Sequence, residues 1–221
     1  MLEFDRAVKE QYPETTFGIM VMRGVTIESA DGLENEKREL EASLQEQFSG
    51  MDKRQMREVA PFSEYHTFYK TFKKTYHVLH QCESIATGKK KLPDGAPLVQ
   101  AMFMAEVQHQ LLTAGYDISR LGSDYTVRLG DGETEFEGIG KTIRKPPNSD
   151  IVFTNGETIL GSIICGPDHE HRIQQNTEDV LFAIYGVPGI SKGQMENHFA
   201  SVLRYMQLIS PESKVDLMQI Q

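Results

Sequence analysis

The residues best suited to chemistry form one run, Asp168, His169, Glu170, His171 and Arg172. Carboxylate and imidazole groups are ordinary ligands of a divalent metal, and two histidines two apart share a face if the run is extended. A metal would need third and fourth ligands that the run does not supply. The competing reading is a polar loop held by pairing of Asp168 with Arg172. Glu133, Glu135 and Glu137 alternate and would share one strand face. A solvated face is the simpler account of them than acid–base chemistry by paired carboxylates. Nucleophilic catalysis has no local signature: GxSxG, P-loop and GxGxxG patterns are absent, and neither Cys82 nor Cys165 sits in a basic or helix-start context. The seven histidines are scattered, and none is marked as a base by its neighbours.

Charge is distributed more informatively than its total suggests. The chain carries 23 Lys+Arg against 32 Asp+Glu, a net −9 that argues at first sight against a phosphate-rich partner. Residues 53–91, however, are net +6 between flanks of −7 and −8. Lys70, Lys73, Lys74, Lys89, Lys90 and Lys91 lie there among Tyr, Phe and His, a composition that suits an RNA backbone. A solvated lysine-rich helix face gives the same count without any ligand.

The elements that must position these groups follow from periodicity. Phe17 to Val25 is apolar over a strand's length and predicts a buried strand. Leu33, Leu40, Leu44 and Phe48 recur at helical spacing, with Gly50 as a stop. Pro61 to Lys91 predicts a helical segment whose Phe62, Tyr65, Phe68, Tyr69 and Phe72 make an aromatic stripe, read as core rather than as a base-stacking platform. A further helix spans Pro97 to Thr113. Short strands follow at 125–129, 134–140, 150–154, 158–165 and 180–186, and a last helix runs from Ser191 to Ile209.

Together these predict an α+β fold. We expect one domain over 1–221, with residues 1–60 a strand–helix elaboration and 190–221 a docking helix and tail. The roughly 18 to 20 apolar residues of a membrane span are missing, and the charged N-terminus is unlike a secretory signal, so a cytoplasmic protein without a membrane partner is expected. Two cysteines 83 positions apart suggest reduced core thiols.

The order and spacing of these segments resemble the B3/B4 tRNA-binding and editing domain of the phenylalanyl-tRNA synthetase beta subunit, in stand-alone form. The resemblance runs from about Phe17 to Gly189. It is carried by Leu92-Pro93, Pro97-Leu98-Val99, the GYDISRL segment from Gly115 to Leu121, and Thr126 to Leu129. It continues through Gly132-Glu133 with Phe136, Ile139 and Gly140, then Gly156-Glu157, then Asp168, Arg172 and Thr177 leading into VLFAIYG.

The resemblance implies a three-layer β-β-α sandwich. It also implies a pocket that in the synthetase accepts the aminoacylated 3′ end of tRNA and hydrolyses mischarged tyrosine. The partner implied here is tRNA or the aminoacyl-tRNA 3′ end, with no cofactor and no metal. Lys70, Lys73, Lys74, Lys89, Lys90 and Lys91 would hold the RNA backbone. Arg172, Asp168, Thr177, Arg128, Asp117 and Glu157 would form the ligand pocket. Of these, Arg172 is read as meeting a phosphate or carboxylate, Asp117 as capping a short helix, and Asp168 as pairing with Arg172.

The chain also departs from the family. Ala114 stands where the editing pocket has His, Ala183 lies near its Glu, and Gln100 and Phe103 replace an Asp and an Asn. Ester hydrolysis needs a held water and a stabilised oxyanion, which these positions no longer supply. Three functions follow: a tRNA-binding protein; a trans-editing aminoacyl-tRNA ester hydrolase using other residues; or a small-molecule or protein-binding module that kept the fold and lost RNA. A complete aminoacyl-tRNA ligase is not expected, because the class II catalytic core is missing.

Overall fold

A computed structural model describes all of residues 1–221. The chain begins with β1 (Leu2–Phe4), α1 (Arg6–Gln11), β2 (Phe17–Arg23), α2 (Asp31–Gln47), α3 (Lys53–Arg57), α4 (Phe62–Thr71), α5 (His77–Ala86) and α6 (Pro97–His109). It continues with β3 (Thr113–Asp117), β4 (Tyr125–Leu129), β5 (Phe136–Gly138), β6 (Thr142–Arg144), β7 (Ile151–Asn155), β8 (Thr158–Ser162) and β9 (Gly166–Pro167). β10 (Val180–Tyr185), α7 (Lys192–Ile209) and β11 (Lys214–Ile220) complete an α+β fold.

Two sheets carry the architecture, one ordered β1-β4-β7-β8-β9 and the other β11-β2-β10-β3. They pack face to face through aromatic side chains. The ring of Phe153 on β7 lies 4.9 Å from that of Phe17 on β2 and 5.9 Å from that of Tyr116 on β3. The opposite face of the four-stranded sheet is covered by helices. A Cβ on Gly18 of β2 would come within 2.8 Å of the Phe199 ring on α7, and one on Gly115 of β3 within 3.1 Å of Met102 Sδ on α6. The layers are therefore five-stranded sheet, four-stranded sheet, helices. Every residue of β10 is buried and all of β2 but Arg23. Burial on both faces is why these strands read as unbroken apolar runs rather than as alternating ones.

The predicted aromatic stripe is core. Phe62, Tyr65, Phe68 and Tyr69 are buried and Phe72 packs against them. The helix expected over Pro61 to Lys91 is instead two helices, α4 and α5. Lys73 takes φ 54°, Lys73 N–H donates to Lys70 O (3.0 Å) and Lys74 N–H to Tyr69 O (3.0 Å), which is a left-handed helix stop. Tyr76 then turns inward, and its ring stacks 4.3 Å from that of Tyr65.

Other boundaries also shift. The strand expected over 134–140 shrinks to β5, because Asp131 folds residues 131–134 into a turn, accepting from the backbone N–H of Glu133 and Thr134 (both 2.8 Å). The predicted tail after the last helix holds β11, the edge strand beside β2. Ser191 starts α7 with a capping box to Gln194. No helix is long and apolar enough to cross a membrane.

Phe153 is fully buried where both sheets meet. Truncation to Ala leaves an unfilled space there, and we predict that Phe153→Ala lowers unfolding free energy by about 3–5 kcal/mol in urea titration. A loss below about 1 kcal/mol would show that the inter-sheet packing is not what holds the layers together.

Candidate functional site

At one end of the space between the sheets the aromatic side chains give way to Ala114 and Gly166, and a cavity of about 330 Å³ opens. Its inner wall is formed by Tyr69, Leu112, Ile163 and Tyr185, and the exposed Lys74, Thr75 and His77 lie at its rim. The wall hydroxyls are engaged. Tyr69 OH donates to Ile163 O (2.8 Å), Thr113 Oγ1 to Leu111 O (2.9 Å), and the Tyr116 and Tyr185 hydroxyls bond each other (2.5 Å). Ser162 Oγ accepts from Cys165 N–H (3.0 Å). A half-open space with an apolar inner wall, fixed hydroxyls and a lysine at its rim suits a flat neutral group attached to an anion.

A second space, a groove of about 550 Å³, adjoins the first and shares Lys74, Ile164 and Cys165 with it. One wall is Thr71, Phe72, Lys73 and Lys74, and the other Ile143, Arg144, Lys145 and Pro147. Four cations therefore line it, and no carboxylate does. Lys145 is paired with Glu135 (3.1 Å), whereas Lys73, Lys74 and Arg144 have no ion-pair partner. Arg144 owes its place to Gly138, where a Cβ would come within 2.7 Å of Arg144 Cγ. Lys73 occupies a left-handed conformation that costs a lysine more than a glycine. The largest groove, about 730 Å³, lies elsewhere, between Val25–Ile27, Gly95–Leu98 and Gln174–Glu178, and no lysine lines it.

The lysines of the predicted island separate into two groups. Lys73 and Lys74 line the basic groove, and Lys70 is exposed on the last turn of α4. Lys89, Lys90 and Lys91 follow the far end of α5, which at about 1.5 Å per residue stands about 15 Å away along the helix. Arg144 and Lys145, which join the first group, were not singled out by sequence reasoning. Their signal, the basic run Lys141-Thr142-Ile143-Arg144-Lys145, falls outside the +6 segment.

The six predicted ligand-pocket residues occupy different places. Asp117 Oδ2 accepts from Thr177 Oγ1 (2.7 Å), and Asp117 Oδ1 from Ser119 N–H (3.0 Å). Burial opposes ionisation of Asp117, but the hydrogen bonds from Ser119 and Thr177 outweigh it and hold the carboxyl below its usual range. Asp117 thus ties a turn after β3; no helix starts there. Arg128 is half-buried on β4, and Glu157 is exposed on the β7–β8 turn. Thr177 lines the large groove.

The expected Asp168–Arg172 pair does not form. Asp168 Oδ2 is bonded to His171 Nδ1 (2.8 Å) and to His171 N–H (3.0 Å), while Arg172 Nη1 donates to His169 O (2.7 Å). The local turn brings the imidazole, not the guanidinium, onto the carboxylate. His169 is not drawn in, and no three metal-ligating side chains converge anywhere in the chain. This loop is structural glue. Asp117 N–H donates to His171 O (2.8 Å) and His169 N–H to Glu137 O (2.8 Å), joining the β5–β6 hairpin to the main body.

Of the two cysteines, Cys82 is a core residue as expected, whereas Cys165 lies half-buried between cavity and groove with its thiol pushed up by burial. Glu106 is fully buried against the cavity wall, accepting from Thr113 N–H (3.0 Å), and burial raises its carboxyl to about 8.

No protein-family model matches this chain, nor does any curated protein. Among solved structures it resembles an N-terminal fragment of the phenylalanyl-tRNA synthetase beta subunit from Pyrococcus horikoshii, with a TM-score of 0.52 and 9% identity. The match covers all of this chain and 54% of that one, so the chain spans about half the length of its structural neighbour. At that identity the likeness establishes a related fold and nothing about chemistry.

The Asp168 bond raises the pKa of His171 above 6.5 although burial opposes it. A raised histidine contributes stability that is complete below the unfolded value and is lost as pH rises through the folded one. Asp168→Asn should therefore destabilise the protein more at about pH 5.5 than at about pH 8.5 in urea unfolding. An equal loss at both would mean that His171 is neutral in the pair throughout.

Proposed function

We propose that the protein binds RNA, as tRNA or the aminoacylated 3′ end of tRNA, in the manner of a relative of the synthetase B3/B4 domain. The observation that carries this reading is the continuity of the basic groove with the inner cavity through Lys74, Ile164 and Cys165. Backbone phosphates lie along Lys73, Lys74, Arg144 and Lys145, and the terminal group enters the cavity. Cations in a concave strip without carboxylates focus potential where a phosphate chain would lie, even on a protein of net charge −9. The three-layer order of sheet, sheet and helices and the likeness to the synthetase fragment support it.

The reading is one of binding rather than hydrolysis. Ala114 stands in the cavity wall at the position that the family gives to a histidine, and Gln100 is turned away, donating to Gly95 O (2.6 Å). The neighbouring wall hydroxyls are committed to protein acceptors or to each other.

Two charge-matched variants test the site. Lys73→Glu/Lys74→Glu/Arg144→Glu should weaken binding of uncharged tRNA at low salt by at least about tenfold, and should flatten the log Kd against log salt slope by about 2, three cations at about 0.7 each. Lys89→Glu/Lys90→Glu/Lys91→Glu changes net charge equally but lies off the groove, and should leave most of the affinity. Equal losses would reduce the effect to net charge and remove the groove from the proposal.

A further inference from the structure

The basic groove is not only basic. Each wall presents an apolar side chain next to its cations: Phe72 beside Lys73 and Lys74, and Ile143 beside Arg144 and Lys145. Ile143 is 63% exposed, the same as the chain's first residue, and Phe72 is half-buried against Phe68, with ring centroids 5.2 Å apart. Ile143 belongs to β6, which pairs only with β5 in a two-stranded sheet separate from the two main ones. β-Branched side chains favour strands by packing on neighbours, yet this one has water where a neighbour would be.

A duplex offers a groove of this kind phosphates alone, since its bases are stacked and paired inside. A strand with unpaired bases offers phosphates and flat apolar faces in alternation. Two walls that each set one apolar side chain beside two cations match the second pattern. An anionic lipid surface would also use Lys, Arg and Ile, but it has no use for an inner cavity. Here the groove adjoins such a cavity and shares Lys74, Ile164 and Cys165 with it.

Resting on the RNA-binding reading, we infer that Phe72 and Ile143 form a clamp for unpaired bases just upstream of the terminal group, so that the groove selects a single-stranded 3′ tail over a paired end. The hairpin that carries Ile143 is tied down at its other strand by the Gly138–Asp168 bridge and by Ile139 N–H donating to Pro167 O (3.3 Å). The clamp is therefore held at a fixed distance from the cavity mouth rather than left to a free loop.

The test uses the full chain and a fluorescent RNA hairpin made in two forms, with a short unpaired 3′ tail and with the same end paired and blunt. Wild type should bind the tailed form about tenfold tighter, the scale of one stacked base. Ile143→Ser, a change at an exposed position, should remove most of that preference while far-UV spectra and the melting temperature stay unchanged. Phe72→Leu should reduce it by less, because an aliphatic side chain still covers a base. Equal wild-type affinity for tailed and blunt RNA overturns the clamp and leaves the RNA-binding reading standing. Failure to bind either form removes both. Binding to vesicles of phosphatidylserine and phosphatidylcholine that is lost in Ile143→Ser, with no preference for the tail, would give the apolar pair to a lipid surface instead.

Discussion

The fold depends on one constraint, that β2 and β10 are covered on both faces. One face meets the aromatic side chains of the five-stranded sheet, where Phe17, Phe153 and Tyr185 lie within 4.8 to 6.2 Å of one another. The other face of their four-stranded sheet meets α6 and α7, and it does so closely because Gly18 of β2 and Gly115 of β3 carry no side chain that would collide with Phe199 and Met102. Two buried faces fix the strand register, since a slip by one residue would exchange the sets facing sheet and helix. They also decide where a cavity can exist. Ala114 on β3 and Gly166 on β9 leave space at the one end of the inter-sheet layer where the aromatic side chains run out.

Tyrosine hydroxyls close the rest of that layer. Tyr65 OH donates to Tyr185 O (2.7 Å) and accepts from Leu112 N–H (3.1 Å), and Tyr76 OH donates to Gln110 O (3.0 Å). Each satisfies a backbone group at an irregular strand or helix end that would otherwise be buried unpaired. The same α4–α5 segment thus has two jobs. Its inward tyrosines fasten the helices to the cavity wall, and the left-handed turn at Lys73 between them presents Lys73 and Lys74 outward, with Phe72 half-buried beside them. Loss of an inward tyrosine would move the outward cations as well, which is why substitutions confined to exposed side chains separate binding from folding.

Much of the architecture was legible in the chain because period and burial agree there. The apolar runs of β2 and β10, the Ser191 start of α7 and the aromatic stripe of α4 each carry a local signal that the tertiary fold reinforces. The split between α4 and α5 was not legible, since a lysine in a left-handed turn resembles any other helical lysine. β11 was missed for a related reason: Lys214–Ile220 is an edge strand with half its residues in water, so its pattern is faint. The site was harder still. The basic groove joins a turn at 71–74 to a hairpin at 143–145, and counting charge along the sequence gathers Lys89–Lys91 with Lys73 while leaving out Arg144. Asp168 and Arg172 looked like partners by charge, but the geometry of a short turn gave Asp168 to His171.

The wall that cavity and groove share shows how an acidic protein can keep a cationic strip effective. Beneath it Asp150 is fully buried, with Ile164 N–H 3.3 Å from both carboxylate oxygens. Burial raises this carboxyl to about 7, well above the ordinary aspartate range, which weakens the negative potential it adds near neutral pH. Water would have left an ordinary aspartate fully ionised at the same place. Glu135 pairs with Lys145 at 3.1 Å, whereas Lys73, Lys74 and Arg144 have no ion-pair partner. Net charge therefore says little about the surface on which a ligand lands. What decides it is which carboxylates are desolvated, which are paired, and on which side of a wall the unpaired cations stand.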